Sequence, residues 1–515
     1  MKFDSVTEFS PARLDAGVAV TDVRILDTTL RDGEQAPGVS LSPAEKVAIA
    51  QALDRAGVSG IEAGSACTGP GERRAIESVT ELDLRARVSS FCRGLRDDVD
   101  LAHDCGVDGV HLVVPASDRH LESKVGIGRE ENLERTVQLV EYARDADLWV
   151  EVIGEDGSRA NPTYLCRLAE RALEAGAARF CFADTVGHAG PEHTHTVVSD
   201  LAARGPVSVH THDDLGLGLA NALAGVAAGA DLVHCTVNGL GERAGNVALE
   251  ELAISLSHVY DVETVDLEAL YELAKVVATA TGVALAPNKA VVGENAFTHE
   301  SGIHTDGTLK DERMYEPYPP ETIGRERRLA LGKHTGSAGV RATLTEHDVE
   351  ATDEDVREIA RRVTELGDRG RRVTDADLLA IAEEVTGTAP DRTIELLDLQ
   401  AVSGGPVPTA SVRLCVSGED RVASATGSGP VDAAISAVRS ALDAPTTAEL
   451  TDYRVDAVTG GTDAVVTVEV RMASNDSSVT IARSDADITR ASVVAMVDAL
   501  DRLLVDDDLV IPADD

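Results

Sequence analysis

His210 and His212 stand two residues apart in the run His210-Thr211-His212-Asp213-Asp214. On an extended strand that spacing puts both imidazoles on one side, where they can ligate a single metal ion. Two other runs hold the partner donors such a site needs. Asp27-Thr28-Thr29-Leu30-Arg31-Asp32-Gly33-Glu34-Gln35 offers the Asp32 carboxylate, and Asn238-Gly239-Leu240-Gly241-Glu242-Arg243-Ala244-Gly245-Asn246 offers the Asn246 amide oxygen. Mixed nitrogen and oxygen ligation with open positions suits one divalent ion (Mn2+, Zn2+ or Mg2+) acting as a Lewis acid. An isolated H-x-H is more often a hydrogen-bonded pair at a strand end; the donors in the other two runs turn the reading towards metal. Arg31 would set a bidentate cation beside that metal, suited to an anionic oxo group, with a structural salt bridge as the plainer alternative. Glu155 is a candidate acid–base carboxylate or a group behind the ligands, against a solvated loop carboxylate. Thr185 offers a hydroxyl that could hold a substrate carboxylate, though a bare Thr carries no weight alone.

These runs lie far apart in the chain, so the fold must bring them together. Short β-branched runs occur at 23–27, 59–63, 86–91, 109–114, 148–153, 179–184, 207–212 and 231–237. Between them lie Ala-, Leu- and Glu-rich stretches with helical apolar spacing, such as 42–56, several ending in a Gly stop signal. Eight strand–helix units predict an α/β fold, a (β/α)8 TIM barrel over residues 20–262. A doubly wound sheet is the alternative, but the regular units favour closure. In a closed barrel strands 1, 7 and 8 are neighbours, and active sites form where strands end and βα loops begin. The three metal-donor runs then converge on one rim.

Strand signals fade after residue 262. Residues 266–281 and 353–367 read as helices around a Gly-, His- and Pro-rich stretch at 287–339, so 263–388 is a mostly helical extension. A break at 386–391 reads as a linker. Residues 392–515 repeat a strand, a Gly-Gly turn, a strand and a helix, which predicts a duplicated α+β module with a regulatory or oligomerising role.

Composition excludes several classes. The 515 residues carry 89 Asp+Glu against 47 Lys+Arg, a formal net charge of -42, which opposes nucleic-acid or anionic-membrane partners. Only seven of the basic residues are Lys, so the surface reads as salt-adapted: its self-repulsion is screened at high ionic strength. Seven scattered Cys without C-x-x-C spacing argue against a disulfide framework or a structural zinc site. The start, MKFDSVTEFSP, has no signal-peptide stretch, and no apolar run is long enough to span a bilayer, so a cytoplasmic protein is expected. Gly-Pro-Gly at 69–71 and Gly-Ser-Gly at 427–429 match no P-loop or dinucleotide fingerprint.

The runs DTTLRDGEQAPGVS, VHTHDDLGLGLANALAGVAAGA, NGLGERAGNVALEE, PNKAVVGENAFTHESGIHTDG and LGKHTG together resemble the 2-isopropylmalate synthase family, which includes citramalate and homocitrate synthases. The likeness covers 22 to about 385, and GSGPVDAAISAV, LTDYRVDAVTGGTDA and DITRAS extend it to the family's allosteric domain. The resemblance implies condensation of acetyl-CoA with a 2-oxo acid. It implies metal ligation by Asp32, His210, His212 and Asn246, oxo-acid contacts from Arg31 and Thr185, and an active-site role for Glu155. It also implies that His304, with Tyr315 as a possible partner, helps deprotonate acetyl-CoA from a neighbouring subunit of a homodimer, and that a branched-chain amino acid acts as effector.

For the oxo acid, the commoner family activity points to 2-oxoisovalerate and 2-isopropylmalate, the first step towards leucine. The stretches Gly64-Ser65-Ala66 and 111–117 depart from the usual isopropylmalate synthase pattern and resemble archaeal (R)-citramalate synthases, which use pyruvate; homocitrate synthase is a further alternative. Lyases and carboxyltransferases share such a metal site, but ESGIHTDG and the C-terminal repeat argue for a synthase. An amino-acid sensor with a dead barrel would have lost a ligand or His304, and all are present.

Overall fold

A computed structural model describes residues 22–347, 349–368, 373–387, 393–403, 407–442, 448–457, 466–474 and 477–506. They fall into two compact units, one running through Phe297 with Tyr318–Glu326, the other comprising Thr298–Pro317 and the chain from Arg327 onward.

In the first unit eight parallel strands close into a barrel in chain order: β1 (Arg24–Asp27), β2 (Gly60–Gly64), β3 (Arg87–Cys92), β4 (Gly109–Pro115), β5 (Trp149–Glu155), β6 (Arg179–Asp184), β7 (Val207–Thr211) and β8 (Leu232–Cys235). Closure is the β1–β8 pairing, with Ile25 opposite Val233 and Asp27 opposite Cys235. Each strand leads to a helix: α1 (Pro43–Ala56), α2 (Pro70–Thr80), α3 (Arg96–Asp104), α4 (Arg129–Asp145), α5 (Pro162–Glu174), α6 (Pro191–Ala202), α7 (Gly218–Ala227) and α8 (Leu249–Tyr260). α1 shows why the chain turns where it does. Ser42 and Glu45 form a capping box, Pro43 opens the helix, and Gly57 ends it in the left-handed region at φ 87°. Its Ile49, Leu53 and Ala56 are fully buried against the barrel. α9 (Leu270–Thr281) belongs to the same core through Leu270, Leu273, Ala274 and Val277, so this unit continues past residue 262.

The second unit begins with helices α10 (Gly302–Lys310), α11 (Ser337–Glu346), α12 (Asp353–Asp368) and α13 (Asp375–Thr386). Val340, Leu344, Ile359, Val363 and Leu378 form a core of their own. Two antiparallel sheets follow: β9 (Ile394–Val402), β10 (Thr409–Val416) and β11 (Glu419–Thr426), then β12 (Glu449–Ala457), β13 (Val466–Ser474) and β14 (Ser477–Asp485). Each leads to a helix, α14 (Pro430–Leu442) or α15 (Ile488–Asp506). The repeat is therefore strand–strand–strand–helix, one strand more than the sequence reading. β11 escapes that reading because its few apolar residues, Val422, Ala423 and Ala425, are scattered among polar ones and none of the strand is fully buried, so it lacks an apolar run. Both Gly-Gly turns lie outside the described residues, as do the chain start and residues 388–391 of the expected linker. Among the described residues no helix is long and apolar enough to cross a membrane.

Candidate active site

The three runs expected to supply metal donors meet at the C-terminal ends of β1, β7 and β8. His210 lies on β7 and His212 directly after it, where an isolated bridge pairs it with Asn246. The two Nε2 atoms are 3.3 Å apart. Asp32 Oδ2 is 3.5 Å from His210 Nε2 and 3.9 Å from His212 Nε2. Two donors on one ion at ~2.1 Å and a tetrahedral angle stand about 3.4 Å apart, so these three residues are spaced as a ligand set. Asn246 donates from Nδ2 to Asp32 Oδ1 at 2.9 Å and to the Leu240 carbonyl at 3.2 Å. Its Oδ1 is buried without a protein partner and is available as a fourth donor. Gly241 makes this possible: at φ +155° its Cβ would stand 2.3 Å from Asn246 Nδ2 and 2.8 Å from Asp32 Oδ1.

The charge states fit a cation. Burial pushes the Asp32 carboxyl up, but Arg31 and the two imidazoles outweigh it and hold the group well below the usual carboxylate range. Burial, then the neighbouring His210, pushes His212 down to about 4, so its imidazole is neutral at pH 7 and keeps a lone pair for a metal.

Arg31 is buried between two carboxylates. Its Nη1 donates to Asp32 Oδ2 at 2.7 Å and its Nε to Glu62 Oε2 at 2.6 Å, with the guanidinium over the Phe91 ring. Sequence reasoning missed Glu62, whose signal was a charge inside the apolar run SGIEA.

Glu155 and Thr185 belong to a different part of the rim. Glu155 closes β5 and accepts from Lys124 Nζ at 2.6 and 2.8 Å, with His120 Nδ1 at 3.1 Å. Thr185 Oγ1 accepts the Asp156 N–H at 2.8 Å, and its hydroxyl hydrogen remains a donor. Arg243 donates to the Thr185 carbonyl and grips both oxygens of Asp214, joining the loops after β6, β7 and β8. Lys124, His120 and Arg243 were also missed; for Lys124 the available signal was one of only seven lysines placed in a strand-end loop.

His304, exposed on α10, and Tyr315 belong to the second unit. Their rings stack with centroids 4.2 Å apart. Gly307 leaves room for this, since a Cβ there would stand inside contact distance of the Tyr315 ring.

Residues 22–277 match the family described as HMGL-like, 291–371 the homocitrate synthase post-HMGL domain, and 372–504 the LeuA allosteric (dimerisation) domain. An (R)-citramalate synthase from Methanocaldococcus jannaschii is 45% identical over 94% of this chain and 99% of its own length. A relative from Methanothermobacter thermautotrophicus, provisionally named an (R)-citramalate synthase, is 49% identical over 94% of this chain and 98% of its own length. The chain belongs to the 2-isopropylmalate/citramalate/homocitrate synthase family. Among solved structures, hydroxymethylglutaryl-CoA lyase from Pseudomonas aeruginosa is 23% identical, covers 52% of this chain and 95% of its own, and has a TM-score of 0.47.

As a member of this synthase family the protein is an enzyme that condenses acetyl-CoA with a 2-oxo acid. The family uses a divalent metal, and among the described residues two buried groups have donors close enough to hold one: Asp32, His210 and His212 at the strand ends, and His111, Glu151 and His234 inside the barrel. His304 and Tyr315 fall within the segment matched to the post-HMGL domain of homocitrate synthase, and the two repeated sheets within the dimerisation domain.

Proposed function

We propose that the enzyme is an (R)-citramalate synthase, which condenses acetyl-CoA with pyruvate and releases CoA. The observation that carries this is the near full-length likeness, at 45–49% identity, to proteins named for that activity. It reverses the order of the sequence reading, in which 2-oxoisovalerate stood first. The barrel interior supports the smaller substrate. Ala183 pairs in register with His210, and Cys181, Ile153 and Val113 follow across β6, β5 and β4. These four form a separate small apolar cluster on the strands next to His210, where we place the alkyl group of the oxo acid.

In this proposal Asp32, His210, His212 and Asn246 would hold a divalent ion, which would supply Lewis-acid polarisation of the ketone. Arg31 offsets negative charge on the oxo acid and on the developing alkoxide. Thr185 donates to the substrate carboxylate, and Glu155 serves as the acid–base carboxylate of the rim. His304, with Tyr315 against it and supplied by a second subunit, assists removal of a proton from the acetyl methyl. The resulting carbanion attacks the ketone, and water then cleaves the thioester. The dimerisation-domain match supports a homodimer with a branched-chain amino acid as effector, isoleucine on the pyruvate reading.

The test is release of free CoA thiol in molar KCl with Mn2+ or Zn2+, with pyruvate and 2-oxoisovalerate side by side, with and without EDTA. One methylene is worth about 1–3 kcal/mol of discrimination, so kcat/KM should favour pyruvate at least ~10-fold and vanish with EDTA. Faster turnover of 2-oxoisovalerate would restore the isopropylmalate reading. No EDTA-sensitive release with either would end both.

A further inference from the structure

Directly beneath the metal donors the barrel holds a second, wholly buried set of polar side chains. Glu151 on β5 accepts from His111 Nδ1 at 2.6 Å and from Ser208 Oγ at 2.5 Å, and its Oε2 lies 3.0 Å from His234 Nε2. Ser89 Oγ meets the far nitrogen of His111 at 2.8 Å. Barrel interiors are normally filled by branched apolar side chains, and burying a carboxylate with imidazoles is costly unless every group is paired.

His210 shows what this set can do. A metal-ligating imidazole ordinarily donates its other N–H to a carboxylate or carbonyl that fixes the ring. His210 Nδ1 is buried and has no such partner among the described residues. What meets His210 from the neighbouring strand is the His234 ring, its register partner across β7 and β8, edge-on at 5.6 Å and 79°. The His111 ring also stands edge-on to His234 at the same separation.

We propose that Glu151 is a positioning residue for the metal centre: by anchoring His234 from inside the barrel it sets the His210 ring through packing. The inference rests on the metal centre described above. The donors of the buried set could also be read as a second metal site. Their spacing argues otherwise, since separations of 2.6 Å (a hydrogen bond) and 3.0 Å (an ion-pair contact outside hydrogen-bond alignment) are shorter than the roughly 3.4 Å between donors sharing one ion.

Metal affinity and stoichiometry, measured without substrate, test this. Mn2+ or Zn2+ binding is followed by competition with a chelating dye on full-length wild type, Glu151→Gln, Ser208→Ala and Asp32→Ala, with thermal unfolding of each apo protein. Glu151→Gln should weaken metal binding at least ~10-fold and Ser208→Ala by several-fold, with one ion per chain throughout. At saturating metal Glu151→Gln should regain most of its kcat. Unchanged affinity in whichever of these two variants folds overturns the proposal. Two ions in wild type falling to one in Glu151→Gln overturns it in favour of a second metal site. Full metal retention in Asp32→Ala instead refutes the metal centre on which the proposal rests.

Discussion

Replacing Glu62 by Gln probes the placement of Arg31 without touching a metal donor. In the native site Arg31 Nε donates to Glu62 Oε2 at 2.6 Å and Nη1 to Asp32 Oδ2 at 2.7 Å, with all three side chains at most 8% exposed. Gln keeps the shape and one acceptor oxygen, so only the charge on that side of the guanidinium is lost. Arg31 should remain tethered by Asp32 but swing towards it, away from the position proposed to face the oxo acid. A hydrogen bond to a charged group in such a site is worth roughly 1.5–3 kcal/mol. At about 1.4 kcal/mol per factor of ten, kcat/KM for the oxo acid should fall roughly 10- to 150-fold. Metal affinity should move much less, because Asp32, His210, His212 and Asn246 are unaltered. The assay is CoA-thiol release at saturating metal, with the metal dissociation constant measured separately. A folded Glu62→Gln enzyme within twofold of wild type would refute the claim that Glu62 places Arg31. A loss fully explained by weaker metal binding would refute it equally.

Two further outcomes follow from the same geometry. Asp27 is fully buried and accepts from the backbone and hydroxyl of Thr29; burial raises its carboxyl to about 7, against those hydrogen bonds. Because its folded value lies above the unfolded one, its contribution to stability is complete below pH ~4 and is lost as pH rises through 7. Asp27→Asn should remove this loss, so the stability difference between wild type and variant should shift by up to roughly 4 kcal/mol between pH 4 and 8. Thermal or urea unfolding across that range checks it, and parallel curves would contradict the burial argument. For the cross-subunit role of His304, mixing His304→Ala with Asp32→Ala protein under subunit exchange should restore part of the activity. No rescue once exchange is demonstrated would place His304 and the metal donors of one site on the same chain.

That the candidate donors come together was legible in the sequence: the two His by their spacing, Asp32 and Asn246 by lying in loops after strands that neighbour one another in a closed barrel. The i, i+2 relation of His210 and His212 fixes a common face on any strand, and Asp32 and Asn246 each follow a strand within a Gly-rich turn. The barrel was legible for a similar reason: eight apolar runs alternated with helical stretches, and strand bounds observed in the structure fall within one or two residues of those runs. The third strand of the first C-terminal repeat was not legible, because β11 has no fully buried residue and leaves no apolar pattern; that of the second, β14, buries only Ile481 and Ala482 among Ser, Thr, Arg and Asp.

Partners were what the sequence could not supply. Arg31 meets Glu62 across 31 residues, and Asn246 meets Asp32 across 214. Nothing in SGIEA says that its Glu points into the barrel beside a particular guanidinium, and nothing in WVEVIGE separates Glu151, buried among imidazoles, from Glu155 at the rim. The facing of each side chain is set by strand register, and register by closing β1 onto β8 across about 200 residues, a long-range packing outcome that local composition does not encode. The sequence by itself therefore determined which candidate donors are present and on which kind of element they sit. The closed barrel decided which charges neutralise one another, and so which of them remain free for substrate and metal.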